Sequence, residues 1–377
     1  MNPILLPFVS VGAALLLGAT VSAQNVGVAF SNLVDGYVEI PYSAQVVPQS
    51  GITVEAWVTY NDATLPTGWR YPTILRQGLS VNASENYFLR VNADNTGARV
   101  IRWKIVTATN QVSVNWTFAA GQLTTWTHLA GTYDGAFARL FVNGVQVAQA
   151  TGNGQPIRNV GNEVLRIGKG SDVATPIEVW NGEIDEVRLW PFARTQAEIQ
   201  ATMNQALFSV PGRVSTWNLD GFTLDTSSTL HATAVGGVTY TANTLNLTTP
   251  LLPTAVGAST PGCLGSLDLA PVCAANAGNA AFGFACTRTP PGAIAVFGAT
   301  LGTLPVSFPL LGVDIWLDPT GLVTFTALAN NLGTLRQPLG LPITAAGITL
   351  GLQAIVLDPC GPQGWTASQA LNVVVQP

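Results

Sequence analysis

The stretch WNGEIDEVRLWPFARTQAEIQATMNQAL, from Trp180 to Leu207, predicts a strand that leads into a short helix. Alternate residues of a strand face the same side of a sheet, so Asp185 is expected on one face with Val187 and Leu189. A carboxylate on an apolar face stays buried only if it is paired, hydrogen-bonded or bound to a cation. Asp185 is therefore the first candidate functional residue of the chain.

The helix in this stretch carries its own start signal. Thr195 and Glu198 have the S/T-x-x-E spacing of a capping box, in which each side chain binds a backbone N–H of the other residue. Ile199, Met203 and Leu207 then recur every four residues. This spacing predicts one apolar stripe that packs against the sheet.

Composition indicates a protein rich in strands and turns. It has 377 residues, of which 47% are hydrophobic and only 9% charged, with 38 glycines and 24 prolines. Such a length allows two or three domains with real cores, and few charges with many turn residues favour strands. The net charge of −5 and only two lysines, Lys104 and Lys169, argue against a nucleic-acid partner.

The N-terminus has the pattern of an export signal. Residues 1–23 contain an apolar run that ends in Val-Ser-Ala, which suits cleavage after Ala23, although no lysine or arginine precedes the run. A retained anchor is the alternative. No later apolar segment is long enough to span a bilayer, so the mature chain is expected to be secreted or at the cell surface.

Short β-type segments separated by turns continue through the rest of the chain, which predicts an all-β protein. We expect a jelly-roll domain over residues 24–248, a linker over 249–262 and a smaller β-sandwich over 263–377. Asn143-Gly144 has the residues of a type I′ hairpin turn. Antiparallel two-sheet packing is the architecture that fits regularly spaced strands with almost no helix.

All four cysteines, Cys263, Cys273, Cys286 and Cys360, lie in the last third of the sequence. In an exported protein an even number predicts two disulfides with three possible connectivities. Their spacings match no zinc pattern. We favour Cys263 with Cys273 and Cys286 with Cys360.

Residues 36–207 resemble the laminin-G-like, concanavalin A-like lectin family of jelly rolls. The motifs GYVEIP, ITVEAWV, WTHLAGTYDG, ARLFVNGVQV and NGEIDEVRLWPFARTQAEI carry this resemblance, in the order of the family. The resemblance implies a two-sheet antiparallel jelly roll that binds glycans or proteins, commonly with calcium at the sheet edge. Residues 263–377 look similar to a β-rich module of secreted proteins from planctomycete-type bacteria.

The resemblance also implies a calcium site. Asp185 falls where such domains often place a calcium-ligating carboxylate, and Asp35 or Asn32 could add oxygens. Phe30-Ser31-Asn32 departs from the F-D-G sequence usual in the family. The alternative is an aspartate that accepts backbone N–H bonds and binds no metal. If calcium binds, it should raise the melting temperature.

No catalytic residue is predicted. Glu183, Asp185 and Glu186 echo the paired carboxylates of jelly-roll glucanases, but Arg188 stands where the third carboxylate should be. His128 has no nucleophile motif near it and is interpreted as a structural strand residue. Hydrolysis therefore ranks third among the candidate functions.

The expected ligand site lies at the rim loops or on the concave sheet. Trp69, Arg70 and Tyr71 form an aromatic-arginine-aromatic loop, and Trp180 is a second rim candidate. A loop that folds over the sandwich edge explains the same residues equally well. Most other tryptophans lie in strand patterns and are interpreted as core.

These observations predict a secreted, calcium-stabilised, non-catalytic protein that binds a polysaccharide or a glycoprotein. The alternative is a structural or adhesive surface protein that self-associates, because the weakly charged β edges of the C-terminal half associate easily.

Overall fold

A computed structural model describes residues 26–31, 35–62, 70–79, 84–93, 99–172, 178–207, 215–219, 230–242, 244–245, 247, 253–272, 275–280, 282–331 and 333–376. The expected export signal, 1–23, lies outside these ranges. Within them, no helix has both the length and the apolar character needed to cross a membrane.

The first part of the chain is built from fifteen described strands and one helix. The strands are β1 (Val26–Phe30), β2 (Tyr37–Ile40), β3 (Ile52–Val58), β4 (Thr73–Gln77), β5 (Tyr87–Ala93), β6 (Arg99–Val106), β7 (Gln111–Thr117), β8 (Thr127–Tyr133), β9 (Phe137–Val142), β10 (Val145–Thr151), β11 (Leu165–Ile167), β12 (Gly182–Trp190), β13 (Ser215–Trp217), β14 (Thr233–Val235) and β15 (Thr239–Ala242). The helix α1 spans Gln196–Thr202, and Ala44–Val46 form a 3-10 turn.

These strands form two antiparallel sheets. One has the order β10-β9-β8-β3-β12-β1-β15, with β13 beside β12, and the other has the order β14-β2-β11-β4-β5-β6-β7. Their apolar faces enclose one large cluster of buried side chains. The predicted two-sheet jelly roll is confirmed.

Trp103 shows how closely the two sheets approach. It lies on β6 with no exposed surface, and its indole Nε1 donates to the carbonyl of Thr132 on β8 at 3.0 Å. Gly131 on β8 leaves room for the ring, because a Cβ at this position would lie 2.4 Å from it. The inter-sheet core therefore requires a glycine opposite a tryptophan.

Two local predictions are confirmed. Asn143 and Gly144 both have positive φ, 48° and 73°, at the β9–β10 hairpin. Thr195 and Glu198 form the reciprocal capping box at the start of α1. Both motifs depend only on residues that are close in the chain, so they can be predicted from the sequence.

The predicted apolar stripe is wrong beyond the helix itself. The helix ends at Thr202, and Ile199 packs against Ala130 and Phe141 of the sheet below. Leu207 follows the helix and joins a different cluster. A four-residue spacing extends past the helix, so it could not show where the helix stops.

A β-bulge in β12 places Asp185 on the face opposite to the one predicted. Asp185 pairs with Trp57, yet the next pair is Arg188 with Glu55, so β12 has one extra residue here. Glu186 takes a positive φ of 51° within the bulge. Asp185 consequently lies on the face of Trp57 and Glu55, away from the apolar core that contains Val187.

The C-terminal part is also all β. Its described strands are β16 (Thr254–Val256), β17 (Pro261–Gly262), β18 (Gly265–Ser266), β19 (Asp268–Pro271), β20 (Gly283–Thr287), β21 (Ile294–Thr300), β22 (Thr303–Leu310), β23 (Val313–Leu317), β24 (Val323–Leu328), β25 (Leu335–Pro338), β26 (Thr349–Leu357), β27 (Trp365–Ala367) and β28 (Ala370–Val374). The main sheet has the order β16-β28-β26-β21-β24, with β27 beside β26. Strands β19, β20 and β25 form a second, smaller sheet.

The segment expected as a linker, 249–262, is partly structured. Strand β16 lies within it and pairs with β28, so these residues belong to the C-terminal sheet. The two halves also share a core, because Trp190, Phe192 and Leu207 of the first half pack in one cluster with C-terminal residues such as Phe284. Composition alone suggested a solvated connection, whereas strand pairing orders this one.

The favoured disulfide pairing is wrong. Cys263 bonds to Cys360, with their Cα atoms 5.0 Å apart, and Cys286 is a buried free thiol. Cys273 lies outside the described residues. Asp358 is fully buried beside the bond and accepts from the backbone N–H groups of both bonded cysteines. The correct pairing depends on strands that are distant in sequence, which spacing does not reveal.

Candidate functional site

The candidate site is the outer face of the seven-stranded sheet, formed by side chains of β2, β4, β5, β6, β7 and β11 that point away from the core. Strand register places these side chains in rows across β5, β6 and β7. The rows are Phe88–Lys104–Ser113, Arg90–Arg102–Asn115 and Asn92–Val100–Thr117. The middle row carries the two arginines that define the site.

Arg76 on β4 is the buried arginine of this face. It is fully buried and forms ion pairs with Glu85 at 3.1 Å and Glu178 at 3.3 Å. Its guanidinium also donates to the carbonyls of Gly78 and Leu79 at 2.7 and 3.1 Å. A buried charge with this many partners is structural, because removing one carboxylate would leave the cation uncompensated.

Arg90 on β5 lies between two aromatic rings. Its guanidinium carbon is 4.3 Å from the ring centroid of Tyr71 and 4.0 Å from that of Phe88. Its Nε donates to Asn92 Oδ1 at 3.0 Å. Burial lowers the pKa of Arg90 to about 10, so the side chain stays charged at neutral pH. The rings and the amide hold the guanidinium in one orientation.

Arg102 on β6 lies directly opposite Arg90 in the strand register. Its Nε donates to Asn115 Oδ1 of β7 at 2.9 Å. The neighbouring outward residues of β7, Ser113 and Thr117, are exposed. This end of the face therefore offers guanidinium, amide and hydroxyl groups to solvent.

The other half of the face is a self-contained ionic cluster. Arg166 binds Glu39 at 2.9 Å and Asp172 at 2.7 Å, and Lys169 binds Asp172 at 3.2 Å. Both cations lie over the ring of Tyr37, at 4.3 and 5.0 Å. Because these charges satisfy each other, this half is less available to a charged ligand than the half around Arg90.

The predicted ligand-binding residues separate in the structure. Trp69 lies outside the described residues. Arg70 is buried and its backbone pairs with Ala93, whereas Tyr71 lies on the outer face against Arg90. Trp180 is fully buried against Tyr60, and its Nε1 donates to a backbone carbonyl. The prediction that Trp180 lies at a ligand-binding rim is therefore wrong.

The residues predicted to bind calcium do not fit a calcium site. The Asp35 carboxylate binds Lys169 Nζ at 2.7 Å, so a cation already neutralises it. Asp185 is fully buried on the opposite sheet, where its Oδ1 accepts from the backbone N–H of Glu186 at 2.8 Å. Asn32 lies outside the described residues. Calcium binding stays an expectation that rests on the family resemblance.

A possible metal-binding group elsewhere does not fit either. In the described part of the chain, the donor atoms of Cys263, Asp358 and Cys360 lie within 4.8 Å of one another. The two sulfurs are bonded to each other, so they are not the thiolates that a metal would require.

Two of the three glucanase-like carboxylates, Asp185 and Glu186, are enclosed. Glu186 is almost fully buried, binds Arg188 at 2.9 Å and accepts from Asn218 at 3.0 Å. Glu183 accepts a hydrogen bond from Thr241. A pair of carboxylates that cleaves a glycosidic bond must flank the substrate. Asp185 and Glu186 are buried, so Glu183, which lines a cleft, has no accessible partner among these three carboxylates.

Glu55 is the centre of a buried ionic network on the outer side of the eight-stranded sheet. Its carboxylate contacts Arg194, His128 at 3.4 Å and Arg188 at 3.7 Å. Burial alone would raise the pKa of Glu55, but Arg194, His128 and Arg188 lower it to about 2. Burial lowers the pKa of His128 below 6.5, against the opposing effect of Glu55. Its place in this network agrees with the structural interpretation of His128.

A cleft lies beside this network. It has a volume of about 620 Å³ and is lined by Trp57, Trp126, Glu183 and Asn204 and by threonines such as Thr124. Trp57 is nearly buried, and its indole Nε1 donates to the carbonyl of Met203. The cleft is a weaker candidate than the outer face, since one of its two indoles is already used to hold the end of α1.

Arg90 and Arg102 were missed as functional residues. The alternation in NYFLRVNAD and ARVIRWKIV places both on the polar side of their strands. The alternation predicts that both side chains point away from the core, but it does not show that they lie opposite one another on adjacent strands.

Comparisons with known proteins agree with this fold. Residues 31–200 match the model of the concanavalin A-like lectin/glucanases superfamily. Human pappalysin-1 is 42% identical over 82 residues and mouse pappalysin-1 is 40% identical over the same length. In each case the match spans 21% of this chain and 5% of the relative.

Solved structures of similar fold include a candidate carbohydrate-binding protein from Bacteroides ovatus, with 18% identity and a TM-score of 0.44 over 58% of this chain and 60% of the other. A heptameric SAP-like pentraxin from Limulus polyphemus has 15% identity and a TM-score of 0.40 over 60% of this chain and 99% of the other. The resemblance of residues 263–377 to a module of secreted bacterial proteins stays an expectation.

Proposed function

We propose that the jelly-roll domain is a non-catalytic carbohydrate-binding domain and that its ligand lies across the outer face at β5, β6 and β7. The observation that carries this proposal is the row of Arg90, Arg102 and Asn115, with Arg90 held against the ring of Tyr71. The match of residues 31–200 to a superfamily of lectins and glucanases supports it.

The chemistry of this surface suits a sugar chain. Sugar hydroxyls need both donors and acceptors, which amide and guanidinium groups supply. Asn92 and Asn115 each use one oxygen to orient an arginine, so their NH₂ groups can turn to a ligand. Neighbouring strands are about 4.8 Å apart, so a sugar chain that crosses from β5 to β7 along the row of Arg90, Arg102 and Asn115 would meet one polar side chain at each strand.

The disulfide supports an extracellular role. A bond between Cys263 and Cys360 forms and persists in an oxidising compartment. The expected cleavage after Ala23 would bring the mature chain to such a compartment. We therefore propose that the protein is secreted or displayed at the cell surface.

Affinity electrophoresis in gels with a panel of neutral and acidic polysaccharides tests the proposal. Mobility should fall in at least one gel, and Tyr71→Ala and Asn115→Ala should each weaken the retardation several-fold. Tyr240→Ala is the matched control, because Tyr240 is an exposed tyrosine on β15 of the other sheet. Unchanged mobility of the mature protein in every polysaccharide would rule the function out.

Self-association is the second candidate function, and one observation favours it. Strand β24 lies at the end of its sheet order, and its Val323 and Leu328 are 54% and 70% exposed. An edge strand with apolar side chains can pair with another chain. Sedimentation velocity should then show concentration-dependent oligomers that Leu328→Lys abolishes. A monomer at all concentrations would exclude this candidate.

A further inference from the structure

We infer that the ligand is an acidic polysaccharide, whose carboxylate or sulfate groups bind between Arg90 and Arg102. This inference rests on the proposed carbohydrate-binding function and narrows its ligand class. It follows from three features of the outer face: the placement of the two arginines, their lack of a carboxylate partner among the described residues, and their fixed orientation.

The two arginines are directly opposite one another on adjacent antiparallel strands. Side chains at such positions have Cβ atoms about 5 Å apart, and like charges there destabilise the pair. In the free protein, water at this partly exposed face weakens the repulsion between the two guanidinium groups. An anion bound between the two guanidinium groups would remove the repulsion.

A second arginine pair on the same face behaves differently. Arg76 and Arg166 are also opposite in register, but each has carboxylate partners. Arg90 and Arg102 have no carboxylate within 4.0 Å in the described part of the chain, and each donates from Nε to an asparagine oxygen. The comparison of the two pairs within one sheet therefore identifies Arg90 and Arg102 as the arginines available to an external anion.

The local charge agrees with this. On the half of the outer face formed by β4 to β7, the described side chains include four cations and two carboxylates. They are Arg76, Arg90, Arg102 and Lys104, and Glu85 and Glu178. Because Arg76 and Lys104 already pair with both carboxylates, the two excess charges are those of Arg90 and Arg102. The described part of this patch is therefore cationic, although the whole chain has a net charge of −5.

The arginines are also oriented for bidentate contacts. Asn92 and Asn115 hold the Nε of Arg90 and Arg102, and the rings of Tyr71 and Phe88 hold the plane of the first. A planar guanidinium with its Nη groups available matches the two oxygens of a carboxylate or the oxygens of a sulfate. Fixing the side chains before binding reduces the entropy lost on binding.

The experiment compares binding of the mature chain to polygalacturonate, a sulfated dextran, neutral dextran and neutral galactan, with polyglutamate as an anion that lacks sugar. Isothermal titration calorimetry at low and at physiological salt measures the affinity for each polymer. We expect binding to polygalacturonate, to the sulfated dextran or to both, at least tenfold tighter than to the neutral polymers. The uronate and sulfate arms separate the two sources of negative charge.

Arg90→Gln/Arg102→Gln should weaken acidic binding by about a hundredfold, roughly tenfold for each lost charge-assisted contact. The matched control is Arg139→Gln/Arg288→Gln, which removes the same charge from two partly exposed, ion-paired arginines elsewhere. If the double variant does not fold, Arg102→Gln alone is used for the binding test. Among the described residues, Arg102 does not pack between aromatic rings, so its replacement should disturb the fold less. Arg90→Lys/Arg102→Lys keeps the charge and should recover only part of the affinity.

Three results would overturn the inference. Equal affinity for polyglutamate would show charge attraction without sugar recognition. Binding to neutral polymers that the double variant keeps would leave the proposed function standing and refute the acidic ligand. Binding to no polysaccharide at all would refute the proposed function together with the inference.

Discussion

Gly131 and Trp103 show that a single residue can set the distance between two sheets. The glycine lies in β8 of one sheet and the indole comes from β6 of the other, with 2.4 Å between the ring and an added Cβ. Neither residue is part of a site, yet the core depends on both. A side chain here would push apart strands that otherwise pack at the density of an organic crystal.

Gly131→Ala should therefore lower the free energy of unfolding by about 2–3 kcal/mol, because overpacking forces the ring or the strand to move. Gly161→Ala is the control, since an added Cβ at Gly161 meets nothing within 4 Å and its φ is not positive. Urea denaturation followed by tryptophan fluorescence measures both. Equal stability of the two variants would contradict the packing argument.

Asp185 and Asp35 lead to a prediction about calcium at the same scale. Backbone hydrogen bonding and Lys169 satisfy these carboxylates, so we expect the same melting temperature in EDTA and in millimolar calcium. A melting temperature that rises with calcium would instead support the resemblance-based expectation and point to ligands outside the described residues. Asp185→Asn would then abolish the rise.

At the scale of elements, β12 and α1 together enclose the Glu55 network. The bulge places Asp185 on the same outer side of the sheet as Arg188, whose Nη1 donates to the carbonyl of Thr202 at the end of α1 at 3.0 Å. Arg194, just before the helix, reaches Glu55 and also donates to the carbonyl of Val272 in the C-terminal half at 2.8 Å. Breaking this network by Glu55→Gln should cost about 3–5 kcal/mol, since two buried arginines lose their shared carboxylate.

The same network predicts acid sensitivity. The pKa of His128 is lowered from 6.5, so the folded state binds fewer protons than the unfolded state as pH falls through 6.5. The pKa of Glu55 is about 2 instead of 4.5, so its stabilisation is present above pH 4.5 and is lost as pH falls toward 2. Stability should fall by up to about 1.4 kcal/mol per pH unit for each proton involved.

Melting temperatures between pH 7.5 and pH 2 measure this dependence. His128→Gln should reduce the change in melting temperature near pH 6.5. His231→Gln should leave that change unaltered, because His231 is exposed. A melting temperature that is constant over this range would show that neither group changes protonation on unfolding.

At the scale of the whole molecule, the C-terminal half packs against the jelly-roll domain. Trp190 and Phe192 pack against the C-terminal half, while Arg336 donates to the carbonyl of Ala193 and binds Glu198. These contacts lie on the side of the eight-stranded sheet. The outer face of the seven-stranded sheet, on the other side of the jelly roll, carries the Arg90–Arg102 pair.

A shared core predicts that the two halves unfold together. Calorimetry of the mature chain should show one unfolding transition. Phe192→Ala should separate it into two transitions, because the cavity that it leaves in the shared core lowers the stability by about 3–5 kcal/mol. Phe137→Ala, which is partly exposed on β9, should keep one transition. Two well-separated transitions in the unaltered protein would show that the halves are independent.

Much of the fold could be predicted because its signals are local. The period-two pattern predicts strands, Asn143-Gly144 predicts a turn with positive φ, and Thr195 with Glu198 predicts the start of a helix. The motif order predicted the jelly roll, which the two antiparallel sheets confirm. Tyr71 was proposed as a ligand contact and does lie on the candidate face.

The remaining features depend on contacts between distant residues. One extra residue in β12 moved Asp185 to the other face, pairing of β26 and its neighbours brought Cys360 to Cys263, and packing against Tyr60 buried Trp180.

The sequence by itself determined the strands, the turn, the helix start and the family of the fold, because each is encoded by neighbouring residues or by a short motif. Only the tertiary structure decided which charges meet. It placed Arg90 opposite Arg102, 12 positions along the chain, through the register of β5 and β6, and it buried Asp185 and Glu186. Register and burial arise from the assembled sheets, so no local pattern contains them.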